Sequence, residues 1–198
     1  MLESKLKIYV DEVMKFRRAL NLTSVDDLEL FYARFIAPTL QLKLLLPDQG
    51  RLLDVGSGMG VPGVPLLLAL PGLMGVLVER RKKRAEFLRH LVRKLSLQAE
   101  VYDADVNRLP PLHVDVCVAR AVTAESDLLK MFAPHCNPGA IAVLPVPSHA
   151  ETVAQAGWET GRTVHLPAAI DGDAEQQIHC YHYGEPLQQS SVRGGGFT

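Results

Sequence analysis

The sequence is poor in cysteine. Its three cysteines, Cys117, Cys136 and Cys180, are odd in number and widely spaced, so they predict neither a disulfide framework nor a zinc site. Unpaired thiols are typical of a reducing compartment, and we therefore expect a cytoplasmic protein. His179 and His182 point to opposite faces of a predicted strand, so no metal site is expected there either.

Long apolar runs and an excess of charge of one sign are also missing. No run approaches the roughly 20 residues that span a bilayer, and charges interrupt residues 1–16, so neither a membrane span nor a signal peptide is expected. The formal net charge of -1 leaves only a local basic surface for any polyanion. With 47% hydrophobic and 22% charged residues, the 198-residue chain has the composition of a globular protein with one α/β domain and a small appendage.

Glycine, by contrast, is concentrated in one stretch. The apolar run at residues 52–55 ends at Gly56, Gly58, Gly60 and Gly63, and an apolar helical segment follows. A buried strand, a tight turn and a helix are typical of the opening of a nucleotide-binding α/β unit. Glycines let the backbone approach a ligand, and free N–H groups at a helix start bind polar groups. The alternative is a turn whose glycines only relieve backbone strain.

Two cofactor classes fit this glycine turn. Gly58, Gly60 and Gly63 satisfy G-x-G-x-x-G, so the motif alone leaves a dinucleotide such as NAD, and an oxidoreductase, open. Asp54 discriminates better, because a carboxylate at the end of the strand would repel a pyrophosphate. It suits the amino group and sulfonium of S-adenosylmethionine, which is the cofactor we expect.

The remaining patterns predict an α/β fold with a mostly parallel sheet flanked by helices. Residues 1–45 are expected to form a helical cap on the sheet's edge, residues 46–184 the main domain and residues 185–198 a disordered tail. In the cap, Ser24 and Asp27 resemble a capping box for a helix at residues 25–36 that ends before Pro38. The predicted strands are 52–55, 73–78, 99–102, 114–119, 140–146, 158–166 and 178–183; the other predicted helices include 2–20, 80–95, 127–132 and 148–156.

Polar residues follow two of these strands. Glu79 follows the second strand, where an acid can bind ribose hydroxyls; the alternative is a charge that stabilises a helix N-terminus. Arg120 follows the fourth strand and points toward the ligand crevice, or pairs with a neighbouring carboxylate.

The helix predicted at residues 80–95 is strongly basic. Against the single acid Glu86 it carries Arg80, Arg81, Lys82, Lys83, Arg84, Arg89, Arg93 and Lys94. This imbalance favours a phosphate-binding patch over an ordinary solvated face.

Four segments together resemble one protein family. They are ALNLTSV (residues 19–25), LLDVGSGMGVPGVPL (52–66), KRAEFLR (83–89) and ARAV (119–122). From about Val10 to Leu166 the chain resembles the RsmG (GidB) family, the guanine-N7 methyltransferases of bacterial small-subunit (16S) ribosomal RNA. The resemblance implies a class I (Rossmann-like) methyltransferase fold with a seven-stranded sheet and S-adenosylmethionine as methyl donor.

The resemblance also assigns expected roles to residues. Gly56 and Val61 match the methionine and turn contacts, Glu79 the ribose contact, and Val106 and Asn107 the pair beside the adenine. The expected cofactor-binding set is Asp54, Gly56, Gly58, Gly60, Val61, Glu79, Val106, Asn107 and Arg120. The expected RNA-binding set is Arg34, Arg80, Arg81, Lys82, Lys83 and Arg84. The implied partner is small-subunit ribosomal RNA or a ribosomal particle, and we expect a monomer.

Three segments depart from the family pattern. The family's R-H-I-x-D-S segment reads RFIAPT, with Phe35 in place of histidine and Pro38 and Thr39 in place of Asp-Ser. Pro145 replaces a lysine at the fifth strand, and the closing segment GDAEQQIH lacks an arginine. Each departure falls where RNA would be held, so the alternative is a cofactor-binding homologue with an altered or lost RNA substrate.

The implied reaction needs little from a catalytic side chain. Guanine N7 carries an exposed lone pair and can attack a sulfonium methyl group without prior loss of a proton. Alignment and electrostatics therefore matter more than a general base. Arg120 is the expected catalytic residue, in a positioning role.

Overall fold

One seven-stranded sheet organises the protein, in the order β3-β2-β1-β4-β5-β7-β6. The computed structural model describes residues 2–120, 122–166 and 175–184, so the predicted tail lies outside the described residues. The strands are β1 (Gly50–Val55), β2 (Leu73–Val78), β3 (Ala99–Tyr102), β4 (Val114–Ala119), β5 (Cys136–Pro147), β6 (Trp158–Leu166) and β7 (Gln176–Tyr183). The helices are α1 (Leu2–Phe16), α2 (Leu28–Phe31), α3 (Ala37–Leu42), α4 (Gly63–Ala69), α5 (Lys82–Leu95) and α6 (Glu125–Phe132).

The sheet has a parallel part and an antiparallel edge. Strands β1 to β5 pair in parallel, whereas β7 is antiparallel to both β5 and β6. Val55 is in register with Val78 of β2 and Ala119 of β4. The carboxyl ends of these strands therefore meet at one edge, and β1 is the point where the strand order reverses. Open α/β sheets bind ligands at such a switch point.

Two apolar cores lie on the two faces of the sheet. Alternate residues of β1 serve each: Leu52 belongs to the core that includes α1, α4 and α5, and Leu53 to the core that includes α6. Both side chains are fully buried. A strand that is covered on both faces reads as a continuous apolar run, which is why the parallel strands could be identified from the sequence.

Helix α1 packs against α4 and α5, on one face of the domain and not at the sheet's edge as predicted. The buried Glu12 carboxylate fixes it there, because Lys94 Nζ lies 2.5 Å and His90 Nε2 2.6 Å from its oxygens. The hydrogen bond from Lys94 lowers the pKa of Glu12. Lys5 Nζ also donates to the carbonyl of Leu95 at 3.0 Å. The cap is thus part of the domain's core.

The second cap helix begins and ends later than predicted. Asp27 is its N-cap and accepts from the Leu30 N–H at 2.7 Å, so the helix starts at Leu28 and Ser24 is not the cap. It continues through a π-helical turn (Tyr32–Ile36) into α3. Pro38 lies in the first turn of α3, where a missing N–H costs little.

The helix predicted at residues 148–156 is wrong. The chain crosses from β5 to β6 without regular helix, and its backbone groups bond to side chains of β7. The Val153 N–H donates to the Tyr181 hydroxyl at 3.0 Å, and Gln177 donates to the carbonyl of Ala150. These partners are distant in sequence.

Within the described part of the chain, no helix is long and apolar enough to cross a membrane.

Candidate functional site

A cavity of about 460 Å³ opens where the parallel strands end. Its walls come from the segments that follow β1, β2, β3 and β4, and from Met131 of α6. Gly56, Glu79, Val106 and Asn107, which were predicted from the sequence, all line it. Arg80, Arg81 and Arg84 of the expected RNA-binding set line it as well, so residues predicted from separate segments are brought to one site.

Gly56 forms the floor of this cavity, and an added side chain would have to displace Val122. Its φ angle is +70°, and its N–H donates to the carbonyl of Val78 at 2.8 Å. A Cβ atom on Gly56 would lie 2.6 Å from Cγ2 of Val122. The glycine is required both for its left-handed backbone and for the space beside Val122.

The Glu79 carboxylate is held rigidly on the cavity wall. Oε2 accepts from the Gly58 N–H at 3.0 Å and Oε1 accepts from the Arg81 N–H at 2.8 Å. Arg81 is the N-cap of α5, so Glu79 stabilises the start of this helix and also faces the cavity. Its position is therefore compatible with both interpretations, a helix-capping charge and a ribose contact. Each carboxylate oxygen has a second lone pair for a ligand hydroxyl.

Asp54 lies beneath the glycine turn and not on the cavity wall. Its side chain is fully buried, and Oδ2 accepts from the Gly63 N–H at 3.1 Å. Oδ1 accepts no hydrogen bond from the residues that the structure describes. Burial raises the pKa of Asp54 to about 7. Gly58, Gly60 and Val61, in the same turn, also lie off the cavity wall. The cofactor roles of the whole expected set stay predictions.

A residue of the cap, which sequence reasoning missed, supports the same turn. Tyr9 of α1 is fully buried, and its hydroxyl donates to the carbonyl of Met59 at 3.0 Å. In the sequence Tyr9 is one more apolar position of an amphipathic helix, and nothing marks its hydroxyl. The glycine turn is thus held from below by Asp54 and from the cap by Tyr9.

Val106 and Asn107 stand on a short 3-10 turn after β3. The Asp105 carboxylate caps this turn and accepts from the Asn107 N–H at 3.1 Å. The Val106 side chain is buried, and its carbonyl lies 3.2 Å from Nε2 of His135. Asp105, Thr123 and Met131 also line the cavity and were not predicted, because their position depends on the fold.

Arg120 is absent from the cavity wall and faces the cap. Its guanidinium carbon lies 4.4 Å from the centre of the Phe35 ring, and Nη2 donates to the carbonyl of Arg34 at 3.4 Å. Burial lowers the pKa of Arg120. A narrow pocket around it is lined by Arg34, Pro38, Thr39 and Pro145, among others. All three segments that depart from the family pattern therefore contribute to this pocket, the closing segment through Gln176.

The basic residues of α5 fall into two groups. The first group makes contacts within the protein. The Arg84 guanidinium donates to the carbonyls of Leu20 and Asn21, and burial lowers the pKa of Arg84. Arg89 pairs with Glu86 at 2.6 Å, and Lys94 pairs with Glu12 as described. An exposed group at the start of the helix makes no ion pair with the described residues: Arg80, Arg81, Lys82 and Lys83. Arg93, near the end of the helix, is also exposed and makes none with them.

Comparison with known proteins gives a consistent result. Residues 2–153 match the family model of GidB, rRNA small subunit methyltransferase G. The chain is 36% identical over 177 residues to the ribosomal RNA small subunit methyltransferase G of Cereibacter sphaeroides, covering 86% of each chain. It is 31% identical over 183 residues to that of Syntrophotalea carbinolica, covering 85% of this chain and 83% of the relative.

Solved structures agree on the fold. A SAM-dependent methyltransferase from Aquifex aeolicus matches with a TM-score of 0.59 and 20% identity, over 76% of this chain and 92% of that one. The mitomycin 7-O-methyltransferase MmcR matches with a TM-score of 0.59 and 19% identity, over 75% and 54% of the two chains. The predicted class I methyltransferase fold is confirmed. The chain belongs to the rRNA small subunit methyltransferase G family, a family of S-adenosylmethionine-dependent methyltransferases.

Proposed function

We propose that this chain transfers the methyl group of S-adenosylmethionine to N7 of a guanine in small-subunit (16S) ribosomal RNA. The observation that carries the proposal is the cavity at the ends of β1 to β4, where a positive-φ glycine turn faces the Glu79 carboxylate. Family membership supports the choice of reaction and of RNA substrate. Ribosomal RNA as substrate implies a cytoplasmic protein, and we propose that it acts as a monomer.

The residues at the cavity fit this cofactor. Its volume lies within the range of small-molecule sites. Glu79 offers free lone pairs to ribose hydroxyls, and the turn of Val106 and Asn107 offers an apolar surface and polar groups to an adenine. Gly56 keeps the floor open for close approach.

The chemistry requires positioning more than proton transfer. S-adenosylmethionine supplies, when bound, a methyl group that its sulfonium makes electrophilic. Guanine N7 attacks with its own lone pair, so no side chain has to remove a proton first. The chain's task is to align the base in line with the methyl group and to exclude water. The absence of a histidine from the described cavity wall is consistent with this task.

The substrate side is assigned to the exposed basic residues. Arg80 and Arg81 stand on the cavity wall, and Lys82 and Lys83 continue from them on the first turn of α5. We infer that this group binds RNA phosphates at the mouth of the cavity. Arg34 and Arg120 extend the basic surface on the cap side. Arg84 takes a structural role instead, because it anchors residues 20 and 21.

The test is methyl transfer by the purified full chain. Labelled S-adenosylmethionine is supplied with unmodified small-subunit RNA, naked or assembled into subunits, and the digested RNA is analysed by mass spectrometry. We expect labelled 7-methylguanosine at one site. Cofactor binding without transfer to either substrate would instead identify a homologue that has lost its RNA chemistry.

A further inference from the structure

A second cavity, of about 330 Å³, adjoins the first. It lies between the ends of β4 and β5 and the first turn of α6. Thr123 lines both cavities, so a ligand in the second would face one in the first. The carboxyl ends of parallel strands at a switch point are where doubly wound sheets bind ligands.

The walls of this second cavity are mostly apolar, with one carboxylate. Ala119, Leu128, Leu144 and Val146 provide aliphatic surface. Glu125 is the one ionisable side chain on the described wall. An apolar slot with a single fixed polar group is the usual composition of a specific small-molecule site.

The Glu125 carboxylate is held from outside the cavity by β7. Oε1 accepts from the Tyr181 hydroxyl at 2.7 Å and lies 2.8 Å from Nδ1 of His179. Nε2 of His179 lies 3.0 Å from Nε2 of Gln177, which extends the network. The side chain of Glu125 is 10% exposed. Oε2 accepts no hydrogen bond from the described residues, so a fixed carboxylate keeps one oxygen for a ligand.

A purine base has the shape and chemistry for this cavity. Bases taken out of a stack are read through apolar contacts to their faces and hydrogen bonds to their Watson–Crick edge. On that edge guanine presents the N1–H and N2–H donors, whereas adenine presents an acceptor at N1. An ionised carboxylate only accepts hydrogen bonds. A carboxylate therefore favours guanine, and it leaves N7, on a different edge, free.

We propose that the second cavity binds the target guanine and that Glu125 determines base specificity by accepting hydrogen bonds from its Watson–Crick edge. Thr123 then separates the base site from the cofactor site. This inference rests on the proposed function, since it names the pocket in which the methylated base is held. Gln177, His179 and Tyr181 are positioning residues that act through Glu125.

Binding of mononucleotides tests the pocket without RNA. The full chain, saturated with S-adenosylhomocysteine, is titrated with guanosine 5′-monophosphate while the methyl NMR signals of Leu128, Leu144 and Val146 are followed. We expect these signals to shift with the guanine nucleotide, and adenosine 5′-monophosphate to bind at least about tenfold more weakly, as loss of hydrogen bonds to a charged group predicts. Equal binding of the two nucleotides, or no shift with either, overturns the proposal.

Variants separate specificity from structure. Glu125→Gln is expected to weaken binding of guanosine 5′-monophosphate about tenfold or more and to leave adenosine 5′-monophosphate unchanged. Glu159→Gln, on the exposed face of β6, is the matched control and should change neither. Tyr181→Phe keeps the carboxylate but removes its hydrogen bond from Tyr181, together with the one that this hydroxyl accepts from the Val153 N–H, and should have an intermediate effect. Melting temperature and S-adenosylhomocysteine affinity report whether each variant is folded.

Different experimental results would contradict the assignment of the pocket and the proposed function. If wild-type protein methylates guanine N7 and Glu125→Gln does so with the same kcat/KM, the pocket assignment is wrong and the function stands. If Glu125-dependent binding of guanosine 5′-monophosphate is seen but no RNA is methylated, the proposed function is wrong and the pocket stands.

Discussion

The Arg120 guanidinium lies over the Phe35 ring, 4.4 Å from its centre. No carboxylate of the described chain forms an ion pair with Arg120. The structure therefore does not contain the salt bridge that the sequence left open for this residue. Cation–π contact stabilises a partly buried cation without neutralising its charge. The departures Phe35, Pro38, Thr39 and Pro145 thus surround one arginine, whose charge no carboxylate of the described chain neutralises.

Arg120→Ala is expected to slow RNA methylation and spare cofactor binding. Loss of a charged contact to substrate costs on the order of tenfold to 100-fold in single-turnover rate. Affinity for S-adenosylhomocysteine should stay within about twofold, because Arg120 is off the cavity wall. Arg120→Lys should retain part of the rate. A wild-type rate for Arg120→Ala would show that this residue has no role in positioning the RNA.

Gly56→Ala should abolish cofactor binding. The new Cβ would stand 2.6 Å from Cγ2 of Val122 on the cavity floor. Gly139→Ala is the matched control, since Gly139 also has a positive φ, +82°, but no atom within 4 Å of the added Cβ. Both variants carry the backbone cost of about 1 kcal/mol, which thermal melting measures. Only Gly56→Ala should lose S-adenosylhomocysteine binding in calorimetry; equal binding by both variants contradicts the assigned floor.

The raised pKa of the buried Asp54 carboxyl makes the stability of the protein depend on pH. The unfolded chain loses the Asp54 proton at its ordinary, lower pKa, whereas the folded chain keeps it until about pH 7. Between these values the folded state binds more protons, so the Asp54 contribution to stability falls as pH rises. Thermal melting of Asp54→Asn should show a smaller decline over this range. An unchanged pH profile would contradict a buried, neutral carboxyl.

The exposed basic group of α5 should set the salt dependence of RNA binding. Replacement of Arg80, Lys82 and Lys83 by alanine removes up to three phosphate contacts. The slope of log affinity against log salt should then fall by about 2. Lys43→Ala, an exposed lysine of the cap, should leave the slope unchanged. Arg84→Ala should instead lower the melting temperature, because Arg84 anchors Leu20 and Asn21.

Local patterns predicted most of the fold and part of the wall of the first cavity. The bounds of β2 and β4 agree with prediction because buried parallel strands are apolar runs between turn signals. The segment at 148–156 failed because its hydrogen-bond partners lie on β7, outside any local window. The contact of Glu125 with His179 is missed for the same reason. His179 and His182 lie in one strand, as predicted, with His179 buried and His182 exposed. The contact of His179 with Glu125 could not be predicted from the periodicity of that strand.

If the first cavity holds S-adenosylmethionine, the wild-type chain must bind its product S-adenosylhomocysteine, and calorimetric titration measures that binding directly. S-adenosylhomocysteine is the probe and NAD the control ligand, since the glycine motif alone leaves a dinucleotide open. We predict saturable binding of S-adenosylhomocysteine with one site per chain and no binding of NAD. Binding of NAD alone would show that the first cavity is a dinucleotide site and not a site for S-adenosylmethionine.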